Sequence, residues 1–100
     1  MIPKKKVLTP KLENCNKRNK QYPKTFWIPS MSKLSSLQVG DFAKVIAPGE
    51  RFWVIIRERK GNDFVGEINN DLVGTDLHKL KYGDLIAFKR DNICDIDRLE

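Results

Sequence analysis

Apolar and polar positions alternate most clearly between residues 42 and 89, where short apolar runs are separated by turn-forming residues. The runs at Phe42–Ala47, Arg51–Arg59, Phe64–Ile68 and Leu85–Lys89 are rich in β-branched and aromatic side chains, which favour strands. Lys60-Gly61-Asn62-Asp63 is typical of a hairpin turn. The pattern predicts four or five short antiparallel strands, forming a strongly curved sheet or a partly open barrel.

Helical spacing is present at two places outside these runs. Ser30 is a suitable N-cap for a short helix over Met31–Leu37, and Gly40 would end it. In the tail Arg90–Glu100, Ile93, Ile96 and Leu99 recur every three residues, which predicts one closing helical turn. The fold class expected is therefore α+β and mostly β, with one short N-terminal helix.

One sequence pattern occurs twice. Residues 37–45 and 80–88 both read L-x-φ-G-D-φ-φ-x-φ, where φ is apolar. Glycine tolerates backbone angles that other residues avoid, and aspartate hydrogen-bonds to nearby amides. Both segments are predicted to form a turn that leads into a strand.

The charge is distributed very unevenly along the 100 residues. Residues 1–33 contain nine basic residues and one acidic residue, whereas residues 34–100 contain ten basic and twelve acidic residues. Residues 1–25 also lack apolar periodicity, so we expect a basic, disordered arm followed by a small β-rich domain at 26–100. The apolar residues Phe26 and Trp27 are expected to contribute to the core of that domain.

A basic arm favours a polyanionic partner, because neutralising phosphates releases condensed counterions. The first hypothesis is a non-enzymatic module that binds nucleic acid independently of sequence. The alternatives are an assembly module that docks on an acidic protein, and a tail that only aids solubility. The residues predicted to contact nucleic acid are Lys4, Lys5, Lys6, Lys11, Lys17, Arg18, Lys20 and Lys24 in the arm, with Arg57, Arg59 and Lys60 near the hairpin.

The run at 51–59 would place two kinds of residue on opposite faces of a strand, since side chains alternate. Phe52, Val54 and Ile56 form a core face, whereas arginines and Trp53 share the other. Arginine with tryptophan suits stacking on bases. The competing interpretation, which we favour for Trp53, is that it packs in the interior.

Catalytic and metal-binding patterns are not evident. His78 is expected to lie on the surface, and most aspartates coincide with turns. Cys15 and Cys94 lack metal-ligand spacing and predict a reduced compartment, with Cys94 buried as a small apolar residue. We therefore expect no enzyme activity, no metal and no cofactor. Without a membrane span or leader, a cytoplasmic location is expected.

Several segments resemble the family catalogued as domain of unknown function 2314. They are I-P-S at 28–30, E-R-F-W-V at 50–54, F-V-G-E-I-N-N-D at 64–71 and L-K-Y-G-D at 80–84, within a resemblance that covers about residues 26–97. No activity is established for that family. The resemblance implies a small α+β domain with a curved antiparallel sheet and a role as a binding module. It makes Arg51, Trp53, Asn70 and Asp71 signature positions for structure or ligand contact.

Overall fold

The computed structural model describes residues 6–97, which form one mixed β-sheet with short helices around it. The strands are β1 (Val7–Leu8), β2 (Phe42–Ala47), β3 (Glu50–Lys60), β4 (Asp63–Ile68), β5 (Leu85–Lys89) and β6 (Asp95–Asp97). The helices are α1 (Cys15–Gln21), α2 (Met31–Ser35) and α3 (Thr75–His78), with a 3-10 turn at Arg90–Asn92.

The sheet has the strand order β1-β5-β4-β3-β2-β6, and within residues 6–97 its two edge strands do not pair with each other. The expected class, mostly β with some helix, is confirmed, and β2 and β5 have the predicted bounds. The expectation of a purely antiparallel sheet is wrong, because β1 pairs with β5 in parallel. Strong curvature of the sheet stays a prediction.

The larger core cluster lies on the face of the sheet where the alternation of β3 places Phe52, Val54 and Ile56. Phe64 and Phe88 stack beside them with ring centroids 5.3 Å apart. These phenylalanines fill the interior that we expected Trp53 to occupy. Trp53 instead is partly buried on the opposite face, outside the core clusters of the described chain. The expectation that it packs in the interior is wrong.

The repeated L-x-φ-G-D pattern forms the same turn at both positions, as predicted. Gly40 and Gly83 have φ angles of 98° and 86°. The aspartate that follows each glycine accepts a hydrogen bond from the backbone N–H three residues earlier, at 3.0 Å for Asp41 and 3.1 Å for Asp84. Each glycine N–H donates to a sheet carbonyl, so the two turns fix the starts of β2 and β5 in the same way.

The segment before residue 26 differs from the disordered arm we expected. Residues 7–8 form β1, and residues 15–21 form α1, which Asn14 caps. Cys15 is fully buried against Ile46 and Cys94. These contacts hold α1 and the residues next to it on the domain. Residues 1–5, and with them Lys4 and Lys5, lie outside the described residues.

Two further expectations about apolar positions are wrong. Trp27 is 76% exposed and does not join the core, although Phe26 packs on the Cys15 cluster.

The tail forms the 3-10 turn and then β6, where Ile96 pairs with Ala43 of β2. Pairing with β2 provides hydrogen-bond partners for the backbone of the tail, as a helical turn would have done. The three-residue spacing of apolar residues therefore wrongly predicted a helical turn. Leu99 lies beyond the described residues.

The burial of both cysteines predicts slow thiol chemistry. The Cys15 thiol donates to the carbonyl of Asn92 at 3.3 Å, and both thiols are free. A hydrogen bond with Cys94, together with burial, raises the pKa of Cys15, and the same hydrogen bond lowers the pKa of Cys94. The slow reaction expected of both thiols therefore follows from their burial, which keeps the reagent from the sulfur atoms. We expect iodoacetamide at neutral pH to label the folded chain far more slowly than the chain in guanidinium. Equal rates measured by mass spectrometry would contradict this packing.

Candidate nucleic-acid interface

The N-terminal segment of the described chain has a large excess of basic over acidic residues. Residues 6–33 contain seven basic residues and one acidic residue. Within residues 6–25, the exposed lysines that form no ion pair are Lys6, Lys11, Lys17, Lys20 and Lys24. We call residues 6–25, which carry these five lysines, the basic segment. The charges of these lysines are available to an external anion.

Two predicted contact residues are already engaged with carboxylates. Arg18 forms an ion pair with Glu13 at 3.1 Å, and its guanidinium lies 4.8 Å from the centre of the Phe26 ring. Arg57 pairs with Glu67 at 3.0 Å on the sheet surface. Exposed pairs of this kind are weak, so phosphate could compete with either carboxylate. Lys60 is exposed at the end of β3.

Arg59 has a structural environment that the sequence did not indicate. Its Nη1 donates to the carbonyls of Leu34, Ser35 and Leu37 at 3.2, 3.0 and 2.8 Å, just where α2 ends. Its Nε donates to the carbonyl of Gly61 at 2.9 Å, and its guanidinium lies 4.9 Å from the centre of the Phe64 ring. This side chain therefore joins α2 to the β3–β4 hairpin.

The signature positions fix a loop and do not converge on one pocket. Asn70 accepts a hydrogen bond from the backbone N–H of Trp53 through Oδ1. Lys44 places its ammonium 5.4 Å from the centre of the Trp53 ring. Arg51 and Asp71 are exposed. Of these positions, Asn70 has a clear role, which is to connect the end of β4 to β3.

His78 is buried, which corrects the expectation of a surface histidine. Its side chain is 1% exposed, and its Nε2 lies 2.8 Å from Oε1 of Glu50. Leu80 donates its N–H to Nδ1 at 3.0 Å, so Nε2 carries the proton given to Glu50. Glu50 also accepts the N–H groups of Val73 and Gly74. The pair therefore anchors the 72–80 loop to the start of β3.

This anchor predicts a pH-dependent stability. The bonds from His78 and from Val73 N–H lower the pKa of Glu50 below its ordinary value of 4.5. A lowered folded pKa contributes stability above 4.5 that is lost as the pH falls through the folded value. The stability deficit of Glu50→Gln in urea unfolding should therefore be greater at pH 7 than at pH 3. Glu67→Gln is the control, and a constant Glu50→Gln deficit would contradict the proposed anchor.

Two exposed aromatic residues accompany the basic segment. Tyr22 and Trp27 are 57% and 76% exposed. The indole Nε1–H of Trp27 donates to the carbonyl of Lys24 at 3.0 Å. Neither is among the residues predicted from the sequence to contact nucleic acid, because Phe26-Trp27-Ile28-Pro29 indicates a core cluster and Tyr22 lies in a segment without apolar periodicity. The available signal was the flanking lysines, since an aromatic residue among lysines is typical of nucleic-acid surfaces.

Comparison with protein-family models, curated proteins and solved structures finds no match for the chain. The resemblance to domain of unknown function 2314 therefore stays a prediction. Within residues 6–97, no group of three or more histidine, cysteine or acidic side chains is arranged to hold a metal ion. No helix there is long and apolar enough to cross a membrane.

Proposed function

We propose that this protein is a non-enzymatic module that binds nucleic acid independently of sequence through its basic segment. The observation that carries the proposal is the set of five exposed, unpaired lysines on a segment whose fold is fixed by α1 and Cys15. The one acidic residue among residues 6–33, Glu13, is paired with Arg18. An external phosphate backbone would supply the anions that the described chain does not.

Lysine is suited to binding nucleic acid independently of its sequence. Its ammonium is a compact point charge on a flexible stem, so it follows phosphates without selecting a base. The anchored segment also lowers the ordering cost of binding, because α1 is already formed and held by Cys15. Arg57 and Lys60 stay predicted as peripheral contacts near the hairpin. Arg59 is held by backbone carbonyls, and we no longer assign it to nucleic acid.

The test is the salt dependence of binding to a labelled single-stranded homopolymer, measured by fluorescence anisotropy with the full chain. Five phosphate contacts predict a slope of log K against log salt of about −3.5, since each contributes about −0.7 on single strands. Poly-dT and poly-dA should differ little. Absence of binding at low salt, or a slope near zero, would overturn the proposal.

A second candidate is an assembly module that docks on an acidic protein, and the outer face of the sheet favours it. Phe42, Trp53, Ile55 and Leu85 are partly buried there on β2, β3 and β5, and Glu67 of β4 lies between Ile55 and Leu85. Partly buried apolar groups with Lys44 beside them suit an interface with an acidic rim. A stoichiometric protein complex that survives nuclease and high salt would favour this candidate. A lone monomer after nuclease treatment would exclude it.

A further inference from the structure

A groove of about 430 Å³ lies beside Trp27, between the basic segment and the 3-10 turn. Residues from α1, the 27–31 segment and Arg90–Asn92 line it, among them Asn16, Trp27, Met31 and Arg90. Met31 is 59% exposed, so the groove combines apolar surface with polar groups at its walls. Such a mixture is typical of small ligand sites, in which a few polar groups fix orientation.

The indole of Trp27 is exposed and yet held in place. Its Nε1–H bonds to the carbonyl of Lys24 at 3.0 Å, which restricts rotation of the ring. Phe26 and Ile28, its neighbours in the chain, pack against the Cys15 cluster. A large apolar ring that is fixed in solvent needs little further ordering when a flat partner covers it.

The groove is also next to the lysines. Asn16 lines the groove, and Lys17 follows it directly in α1. Lys24 provides the carbonyl that holds the indole. Arg90 and Asp91 are the charged residues of its lining. A ligand with a planar apolar ring and an attached phosphate would therefore meet an aromatic face and the Arg90 guanidinium in the groove, with the lysines of the basic segment nearby in the chain. An unpaired nucleotide has this combination of groups.

We propose that Trp27 stacks on an unpaired base of single-stranded nucleic acid in this groove, an inference that rests on the proposed function. Every base has a π-face, so stacking does not require a particular sequence. In a duplex the faces are occupied by neighbouring base pairs and are not accessible to an indole. Asn16 can hydrogen-bond to a base edge, while the adjacent lysines contact the backbone phosphates.

The test compares Trp27→Ala with the chain as it is, on a single-stranded oligonucleotide and on a duplex of the same length. We expect affinity for the single strand to fall about tenfold, because one stacked base contributes roughly that factor. Affinity for the duplex should stay within about twofold, since its binding depends on phosphate contacts alone. Trp27→Phe keeps an aromatic face and should retain most of the single-strand affinity.

Tyr82→Ala is the matched control, because Tyr82 is 59% exposed and lies outside the basic segment. It should leave both affinities unchanged, and thermal melts should show that every variant is folded. Unchanged single-strand affinity in Trp27→Ala, or an equal loss on duplex and single strand, would overturn the stacking while leaving the proposed function standing. If the unaltered chain bound neither oligonucleotide, the proposed function itself would fail.

Discussion

Arg59→Ala is expected to lower the free energy of unfolding by about 2–3 kcal/mol, the largest effect we predict for a side chain outside the core. The substitution removes four hydrogen bonds to the carbonyls of Leu34, Ser35, Leu37 and Gly61. It also removes the guanidinium that covers the Phe64 ring. Arg59→Lys should recover little, since one ammonium cannot reproduce the fork of the guanidinium.

Arg57→Ala is the natural control for this prediction. Arg57 lies two residues earlier on β3 and makes an exposed pair with Glu67. Such pairs contribute up to about 1 kcal/mol, so its loss should be smaller than that of Arg59. Guanidinium unfolding followed by tryptophan fluorescence gives both values. Equal losses would show that the carbonyl contacts of Arg59 do not stabilise the fold, and folded Arg59→Ala should bind nucleic acid normally.

The part of the fold that was predictable from sequence is the part with local, periodic signals. Alternation defined β2 to β5, and the two glycine–aspartate turns followed from the chemistry of those residues. β1 and β6 were not predictable because each is short and depends on a distant partner. Val7 pairs with Leu85, and Ile96 pairs with Ala43. A two- or three-residue strand carries too little pattern to be recognised.

The candidate nucleic-acid interface was also predictable only in part. The position of the positive charge follows directly from counting residues, so the basic segment could be located before the fold was known. The role of Arg59 could not be predicted, because its carbonyl partners on α2 and just after it lie 22 to 25 residues away. Trp27 was misassigned because apolar character predicts burial on average. The bond that holds its indole in solvent is a property of the folded chain.

The second large effect concerns binding. Replacing Lys17, Lys20 and Lys24 together with glutamine is expected to weaken binding to a single-stranded homopolymer about 100-fold at 0.1 M salt, as the loss of three phosphate contacts predicts. All three are exposed, so the substitutions should leave the fold intact. Circular dichroism and a thermal melt verify this before binding is compared.

A matched control separates local contact from net charge. Lys79, Lys81 and Lys89 are also exposed, and their replacement by glutamine removes the same charge from a different part of the chain. This control should weaken binding only a few-fold, through the long-range field of the protein. Equal weakening by both triple variants would show that binding depends on total charge and not on the basic segment.

Phosphate contact by the basic segment is tested most directly by the salt slope of the two triple variants on the same single strand. If the basic segment contacts phosphate, its variant loses about 2 units of slope relative to the unaltered chain. The control variant should then run parallel to the unaltered chain. A basic-segment variant with an undiminished slope would contradict the account, because the contacts that release counterions would have to lie elsewhere.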